Sequence, residues 1–237
     1  MAGSSVKDEI VQRHLGLPPA LLSSSLLGWE GIAEVVVALH LPAGSTLLDL
    51  ACGRGGYGLE AAARTGAALI GVDFSAEAVR QAGEHARRLG RVAEFRVGDL
   101  AATGLDWGSV NGVLCVDAIQ FARQAAAAYA ELLRVLVPGG RAVLTCWETG
   151  SGDERIPERL RLVDLRGGLT AAGFANVEAL DRPAWRERER AMWEEAAALD
   201  PGDDRALQSL HDEAVRTLPI FDLMRRVLAT ATAPAVG

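Results

Sequence analysis

Short apolar runs alternate with longer segments of helical periodicity through the middle of this 237-residue sequence. The runs are short and continuously apolar, so they predict strands that are buried on both faces. Such strands separated by helices indicate a parallel sheet with right-handed crossover connections. The predicted strands are 46–51, 67–72, 93–97, 112–116 and 141–147. The predicted helices between them are 56–64, 76–89 and 122–137.

The segments on either side complete a single predicted domain, 1–237, which is a suitable length for one large α/β unit. One or two helices are predicted in 19–41, within an N-terminal helical cap, 1–41. The predicted core, 42–182, ends with a helix at 159–174 and a sixth strand at 175–180. A helical insert, 183–219, is broken at 200–202, and the region 220–237 contains a final strand at 220–230. Within the insert, the alternating charges "RERER" at 186–190 predict a solvated helix face.

Composition and charge exclude several classes of function. The formal net charge is -7 and Lys7 is the only lysine, which argues against a basic groove for nucleic acid and against Schiff-base chemistry in the interior. Cys52, Cys115 and Cys146 are far apart and form no C-x-x-C pair, so we expect no disulfide framework and no metal. The first residues lack an apolar signal core and no apolar run is long enough for a bilayer, so we expect a cytoplasmic protein without a membrane partner.

A glycine-rich segment follows the first predicted strand, with Gly53, Gly55 and Gly58 in the spacing G-x-G-x-x-G. Asp73 follows 18 residues after Gly55, which is the layout of a dinucleotide-binding fingerprint. Asp49, however, lies at the end of the strand, where its carboxylate would repel a pyrophosphate and attract a cationic ligand. Neither tyrosine begins a Y-x-x-x-K pair, which excludes the commonest short nicotinamide enzymes. The pattern therefore favours a sulfonium or ammonium ligand.

Five segments in order resemble the class I S-adenosylmethionine-dependent methyltransferases. They are "LLDLACGRGGYG", "LIGVDFSAEAV", "FRVGDLAATGL", "VNGVLCVDAIQF" and "LLRVLVPGGRAVLTCWE". Within that family the chain is most similar to the UbiE-like group, which includes many actinobacterial natural-product methyltransferases. The resemblance implies a Rossmann-like α/β fold with seven mostly parallel strands in the order 3-2-1-4-5-7-6, the last strand antiparallel. Helices would cover both faces of the sheet, with a small helical cap.

The same resemblance implies S-adenosylmethionine as the cofactor and S-adenosylhomocysteine as its product. Asp49 and the glycine segment would hold the methionine part, Asp73 would accept from both ribose hydroxyls, and Phe74 would face the adenine. Asp99 and the adjacent Leu100 backbone would recognise the adenine amine. The full set of expected cofactor-binding residues is Asp49, Ala51, Gly53, Gly55, Asp73, Phe74, Asp99, Leu100, Cys115 and Gln120.

Methyl transfer to an apolar or aromatic small molecule, in secondary metabolism, is the predicted function. Positioning alone can lower the barrier by up to ~7 to 11 kcal/mol. A general base is needed only when the nucleophile arrives protonated and insufficiently acidic, and Asp117 or Glu148 would then be the first candidates. The insert is expected to cover the carboxyl edge of the sheet as part of a substrate chamber, or else to form a dimer contact. The aromatic residues expected to contact the substrate are Trp29, Phe121, Trp147, Trp185 and Trp193. The alternatives are a non-catalytic binding protein and, less favoured, a nicotinamide oxidoreductase, and the assembly is expected to be a monomer or homodimer.

Overall fold

One seven-stranded sheet organises the protein, and the computed structural model describes residues 5–23 and 25–235. The strand order is β3-β2-β1-β4-β5-β7-β6, and β7 runs antiparallel to both β5 and β6 while the other pairs are parallel. The expected order and the antiparallel last strand are therefore confirmed. The strands are β1 Thr46–Leu50, β2 Ala68–Asp73, β3 Ala93–Val97, β4 Val110–Val116, β5 Leu136–Glu148, β6 Ala175–Asp181 and β7 Arg225–Thr232.

Helices cover both faces of the sheet. The α-helices are α1 Val6–Leu15, α2 Trp29–Leu39, α3 Gly56–Thr65, α4 Ala76–Arg88, α5 Ala125–Val135, α6 Glu158–Arg161, α7 Leu165–Ala171, α8 Pro183–Ala198 and α9 Arg205–Thr217. Short 3₁₀ segments occur at Pro19–Leu21, Ile119–Phe121 and Leu218–Leu223. The predicted N-cap of α4 forms, because the Ser75 side chain accepts a hydrogen bond from the amide of Ala78.

The two faces of the sheet have separate apolar cores. Helices α1, α2, α3, α8 and α9 contribute to one cluster, and α5 and α7 contribute to the other. Strand β1 shows how the pleat divides them, since Leu47 belongs to the first cluster and Leu48 and Leu50 belong to the second. By the same alternation, Asp49 points to the face covered by α3, beneath the glycine segment. No described helix is both long and apolar enough to cross a membrane.

Several predicted boundaries are wrong, each for a local reason. The segment "VPGG" does not end a helix at 137, because α5 stops at Val135 and the segment lies inside β5, with a register irregularity against β4. The predicted helix 159–174 is two helices, because Asp164 caps α7 by accepting from the amide of Gly167. The final strand begins at Arg225 because 218–223 form a 3₁₀ segment that contains a proline in its first turn. Helix α1 lies within the predicted N-terminal helical cap, 1–41, but no individual helix was predicted before residue 19.

Candidate cofactor and substrate site

A cavity of about 580 Å³ opens at the carboxyl edge of the sheet. In sheets of this topology, ligands bind at this edge, where the strand order reverses. The glycine segment, Asp73, Asp117 and Trp147 line this cavity together with residues of α8 and α9. The predicted insert and the glycine segment therefore contribute to the same cavity, and the substrate chamber stays a prediction.

The glycine segment turns sharply between β1 and α3. Ala51, Gly53 and Gly55 all have positive φ, and Gly55 precedes the first residue of α3. Only Gly adopts such a backbone without a steric penalty, so Ala51 holds a conformation that its side chain disfavours. Gly56 is also constrained, because a Cβ there would lie 2.0 Å from the carbonyl oxygen of Leu21. The segment therefore approaches the N-terminal region closely, and its backbone lines the cavity.

Asp49 is a buried carboxyl group that lines this cavity. The pKa of Asp49 is raised to about 7, mainly by burial; the amide of Gly58 opposes the increase, and the nearby charge of Asp73 adds to it. Its Oδ2 atom finds no hydrogen-bond partner among the described residues. A Cβ on Gly58 would lie 2.4 Å from that oxygen, so the glycine makes room for the carboxyl group. A cationic ligand would stabilise the ionised form of Asp49, so this site fits the ammonium group of an amino-acid cofactor.

Asp73 is held rigidly at the end of β2. Its Oδ2 accepts from the amide of Gly53 at 2.8 Å and its Oδ1 accepts from the amide of Ser75 at 2.9 Å. The carboxylate is thereby fixed between the glycine segment and the start of α4, and it lines the cavity. Each oxygen can accept a further hydrogen bond, so Asp73 suits a pair of hydroxyl groups. The neighbouring Phe74 also lines the cavity and is largely exposed.

The other expected cofactor residues lie in different surroundings. Gln120 lines the cavity and donates to the carbonyl oxygen of Asp117 at 2.7 Å. Cys115 is fully buried within β4, and Asp99 and Leu100 follow β3 outside the cavity lining. Asp99 is exposed and accepts from the amide of Ala101 at 3.1 Å. Gly55 also lies outside the lining, and a Cβ there would lie 3.2 Å from Ala82 and Phe95. These residues remain predictions.

Asp117, the predicted base, lies in the cavity wall, and both of its carboxylate oxygens accept hydrogen bonds. Arg226 of β7 donates from Nη1 to Oδ1 at 2.7 Å and from Nη2 to Oδ2 at 3.0 Å. Thr145 donates to Oδ1 at 2.8 Å, and the hydroxyl of Ser25 donates to Oδ2. The group is strongly buried, but the charge and hydrogen bonds of Arg226 more than offset the desolvation and hold the pKa of Asp117 below its ordinary value. A carboxylate in this state is a weak base, so the geometry argues against the predicted role.

Glu148, the second candidate base, is also occupied and lies outside the cavity lining. Its Oε1 accepts from the amide of Leu165 at 2.8 Å, and its Oε2 accepts from Nη2 of Arg225 at 2.8 Å. The side chain is buried, and it ties the end of β5 to the start of α7 and to β7. Its position therefore indicates a structural role rather than proton transfer to a ligand.

Glu189 of α8 is a buried cavity residue that the sequence interpretation missed. Its Oε1 lies 2.9 Å from Nε of Arg226, without the geometry of a hydrogen bond. The pKa of Glu189 is raised to about 8, mainly by burial; Arg226 opposes the increase, and Asp117 and Glu213 add to it. The prediction of a solvated face for 186–190 is wrong at this residue. The missed signal was the spacing of the buried residues of α8, which are Trp185, Glu189, Met192, Trp193 and Ala196.

Only three of the five aromatic residues expected at the substrate line the cavity: Phe121, Trp147 and Trp193. Trp29 lies at the start of α2, where the Arg64 guanidinium stacks 4.3 Å from the centre of its ring. Trp185 faces α2 and donates from Nε1 to Glu34 at 2.7 Å. Neither residue lines the cavity: Trp185 is buried against α2, and Trp29 is 36% exposed. Among the described residues, no group of three or more His, Cys, Asp or Glu side chains is arranged to hold a metal.

Comparison with known proteins agrees with this architecture. Residues 47–140 match the model of a family described as a methyltransferase domain. Squalene methyltransferase 2 of Botryococcus braunii is 30% identical over 156 residues, which are 65% of this chain and 39% of that protein. The chain thus spans about two fifths of the length of this relative.

Solved structures share the fold across nearly the whole chain. Phosphoethanolamine N-methyltransferase 2 of Haemonchus contortus, in complex with S-adenosyl-L-methionine, superposes with a TM-score of 0.78 at 19% identity, covering 98% of this chain and 61% of that one. The [4+2]-cyclase SpnF superposes with a TM-score of 0.68 at 23% identity, covering 86% of this chain and 80% of that one. Residues 47–140 thus match a methyltransferase domain, and the sheet order and the glycine segment are those of the class I S-adenosylmethionine-dependent methyltransferase fold.

Proposed function

We propose that this protein binds S-adenosylmethionine at the glycine segment and methylates a small molecule held beneath α8 and α9. The observation that carries the proposal is Asp49, a buried carboxyl group with one unpartnered oxygen in the wall of the cavity. Such a group is unfavourable in the absence of a cation and becomes favourable beside one. Asp73 lines the same cavity with hydrogen-bonding capacity to spare, as a ribose requires.

The bound cofactor would supply an electrophilic methyl group. Asp49 would hold its ammonium group, Asp73 its ribose hydroxyls, and the backbone from Ala51 to Gly53 would lie against the methionine part. Phe121, Trp147 and Trp193 would bind an apolar or aromatic substrate by burying its surface, as aromatic cavity walls commonly do. The walls would also exclude water and align the substrate, which is the main catalytic contribution of positioning.

The pathway, the cellular location and the assembly of this protein stay predictions. We propose a substrate from secondary metabolism, as the resemblance to UbiE-like enzymes implies, together with a cytoplasmic location and a monomeric or homodimeric assembly. The net charge of -7 supports a small molecule rather than nucleic acid as the partner. A metabolite screen that detects S-adenosylhomocysteine by mass spectrometry tests turnover. Cofactor binding without product from any extract would favour a non-catalytic binding protein instead.

Replacing Asp73 with alanine is expected to weaken S-adenosylmethionine binding by roughly ten- to a hundred-fold. The change removes two charge-assisted acceptors that the amides of Gly53 and Ser75 hold in place. Isothermal titration calorimetry measures the dissociation constant, and Asp106→Asn, a change at an exposed acid on another loop, serves as the control. A dissociation constant for Asp73→Ala equal to that of the wild type would contradict the assignment of the ribose site.

Phe121→Ala should raise the KM for the substrate found in the screen by about five- to ten-fold, because it removes an aromatic contact worth roughly 1 kcal/mol at the cavity mouth. Phe121 is 62% exposed, so the free energy of unfolding should change little. Trp107→Ala removes another exposed aromatic residue, outside the cavity lining, and is the matched control. Equal KM values for the two variants would remove Phe121 from the substrate site.

A further inference from the structure

The cavity is also lined by a buried carboxyl group that the proposed cofactor site does not use, Glu189 of α8, which lies 2.9 Å from Arg226. We propose that Glu189 accepts the proton of the substrate's nucleophilic atom, so that the group to be methylated is a hydroxyl or an amine N–H. This inference rests on the proposed methyl transfer and names the class of nucleophile for it. It also makes Glu189 a catalytic residue, in the place where the sequence suggested Asp117.

Geometry separates Glu189 from the other carboxyl groups near the cavity. The oxygens of Asp117 accept four hydrogen bonds from Arg226, Thr145 and Ser25, so no lone pair of suitable direction is left for a substrate proton. Glu189 has no hydrogen-bond partner for Oε1 among the described residues, yet it is buried and lines the cavity. A buried, unsatisfied acceptor in a chamber wall is the arrangement that a proton donor on a ligand would complete.

The charges facing Glu189 come from three elements. Arg226 of β7 lies at 2.9 Å, Asp117 follows β4, and Glu213 belongs to α9 and also lines the cavity. Asp117 already neutralises Arg226, which leaves the guanidinium less able to hold Glu189 in its ionised form.

The other charged neighbours of α8 are engaged elsewhere along the helix. Glu195 pairs with Arg13 and His14 of α1. Two acids of α2 form separate pairs, Glu34 with Arg182 and Glu30 with Arg188. Asp222 pairs with Arg186 and Arg190. The net result is a pKa of about 8 for Glu189, near ambient pH, where a general base is most effective.

The proposed step balances without any further reagent. A bond forms between the substrate oxygen or nitrogen and the methyl carbon, while the carbon–sulfur bond breaks and its electron pair stays on sulfur. The proton of the nucleophile bonds to the Glu189 carboxylate. That proton then passes to solvent, which restores the base.

Direct titration tests the basicity of Glu189 without turnover. Infrared spectroscopy of the cofactor-free protein should show a protonated-carboxyl band that disappears near pH 8 and is absent from Glu189→Gln. Glu187→Gln, which changes an exposed residue two positions away on the same helix, should retain the band. A Glu189 carboxyl that is already ionised at pH 6 would overturn the proposal.

Probe pairs test the nucleophile. Phenol and benzylamine are each compared with a blocked partner, anisole and N,N-dimethylbenzylamine, by the S-adenosylhomocysteine formed. We expect product above background with a protic probe only, at a rate that rises through about pH 8. Glu189→Gln should lower the rate at least ten-fold and flatten this pH profile, Glu189→Asp should restore part of it, and Glu187→Gln should match the wild type. Equal responses to both members of each pair, including no response to either, would overturn the proposal.

Calorimetry of cofactor binding to the same variants distinguishes a failure of the proposed function from a failure of the role of Glu189. If the wild type fails to bind S-adenosylmethionine, the proposed function itself is wrong. If the cofactor binds and a substrate is methylated, but Glu189→Gln retains the wild-type rate and pH profile, only the role of Glu189 is wrong.

Discussion

Replacement of Arg226 with methionine is expected to lower the free energy of unfolding by ~3–5 kcal/mol at pH 7.5, because it leaves a buried carboxylate without its partner. Arg226 is 1% exposed, binds both oxygens of Asp117 and lies 2.9 Å from Glu189. Its guanidinium also lies 5.2 Å from the centre of the Trp147 ring. Urea denaturation measures the loss, and the predicted effect is the largest of any single change considered.

Two comparisons make this result specific to the buried ion pair. Arg188→Met removes a surface pair with Glu30 and should change stability by less than about 1 kcal/mol. The double change Arg226→Met with Asp117→Asn removes both charges and should recover a substantial part of the loss. The loss in Arg226→Met should also shrink toward pH 5, since Asp117 can take up a proton once its partner is gone. A loss below 1 kcal/mol at pH 7.5 would show that the pair does not stabilise the fold.

Asp49→Asn is expected to weaken S-adenosylmethionine binding on the order of 100-fold, since it removes a buried charge from the ammonium site. The same change should stabilise the cofactor-free protein at pH 8 by roughly 1–3 kcal/mol, because the amide avoids the cost of an ionised group with an unpartnered oxygen. Calorimetry and urea denaturation measure the two effects. Their opposite signs distinguish a ligand-binding carboxyl group from a structural one.

The pH dependence gives a further check on Asp49. Its pKa rises from 3.8 to about 7 on folding, so the folded protein keeps a proton that the unfolded chain loses across this range. The free energy of unfolding of the wild type should therefore fall as the pH rises from about 4 to about 7, and Asp49→Asn should remove this part of the slope. Asp106→Asn, at an exposed acid, should leave the slope unchanged. A destabilised Asp49→Asn protein at pH 8 would contradict the burial argument.

Local sequence patterns were sufficient for the sheet and for the glycine segment. Strands β1, β2, β4 and most of β5 follow from short apolar runs, because a strand buried on both faces must be apolar along its length. The position of β3 was also predicted, but its expected burial was wrong, because β3 is an edge strand with partly exposed and exposed residues only. Asp49 and Asp73 follow too, since each lies at or near the end of such a strand and the carboxyl ends of parallel strands meet at one edge. The ends of helices and strands were less predictable where a helix cap or a 3₁₀ turn interrupted the pattern. Examples are the cap at Asp164 and the 3₁₀ segment at 218–223.

The sequence by itself indicated the methyltransferase resemblance, the strand order that this resemblance implies and the acids at the ends of the parallel strands. Only the tertiary structure decided the state of Asp117 and Glu189, because Arg226 reaches them from a strand 109 residues beyond Asp117. That contact depends on β7 lying antiparallel beside β5, with Arg226 opposite Trp147. The pKa of a carboxyl group depends on its burial and on the charges around it, and distant segments of the chain supply both. For the same reason, the pattern "RERER" did not reveal which of its charges faces the chamber.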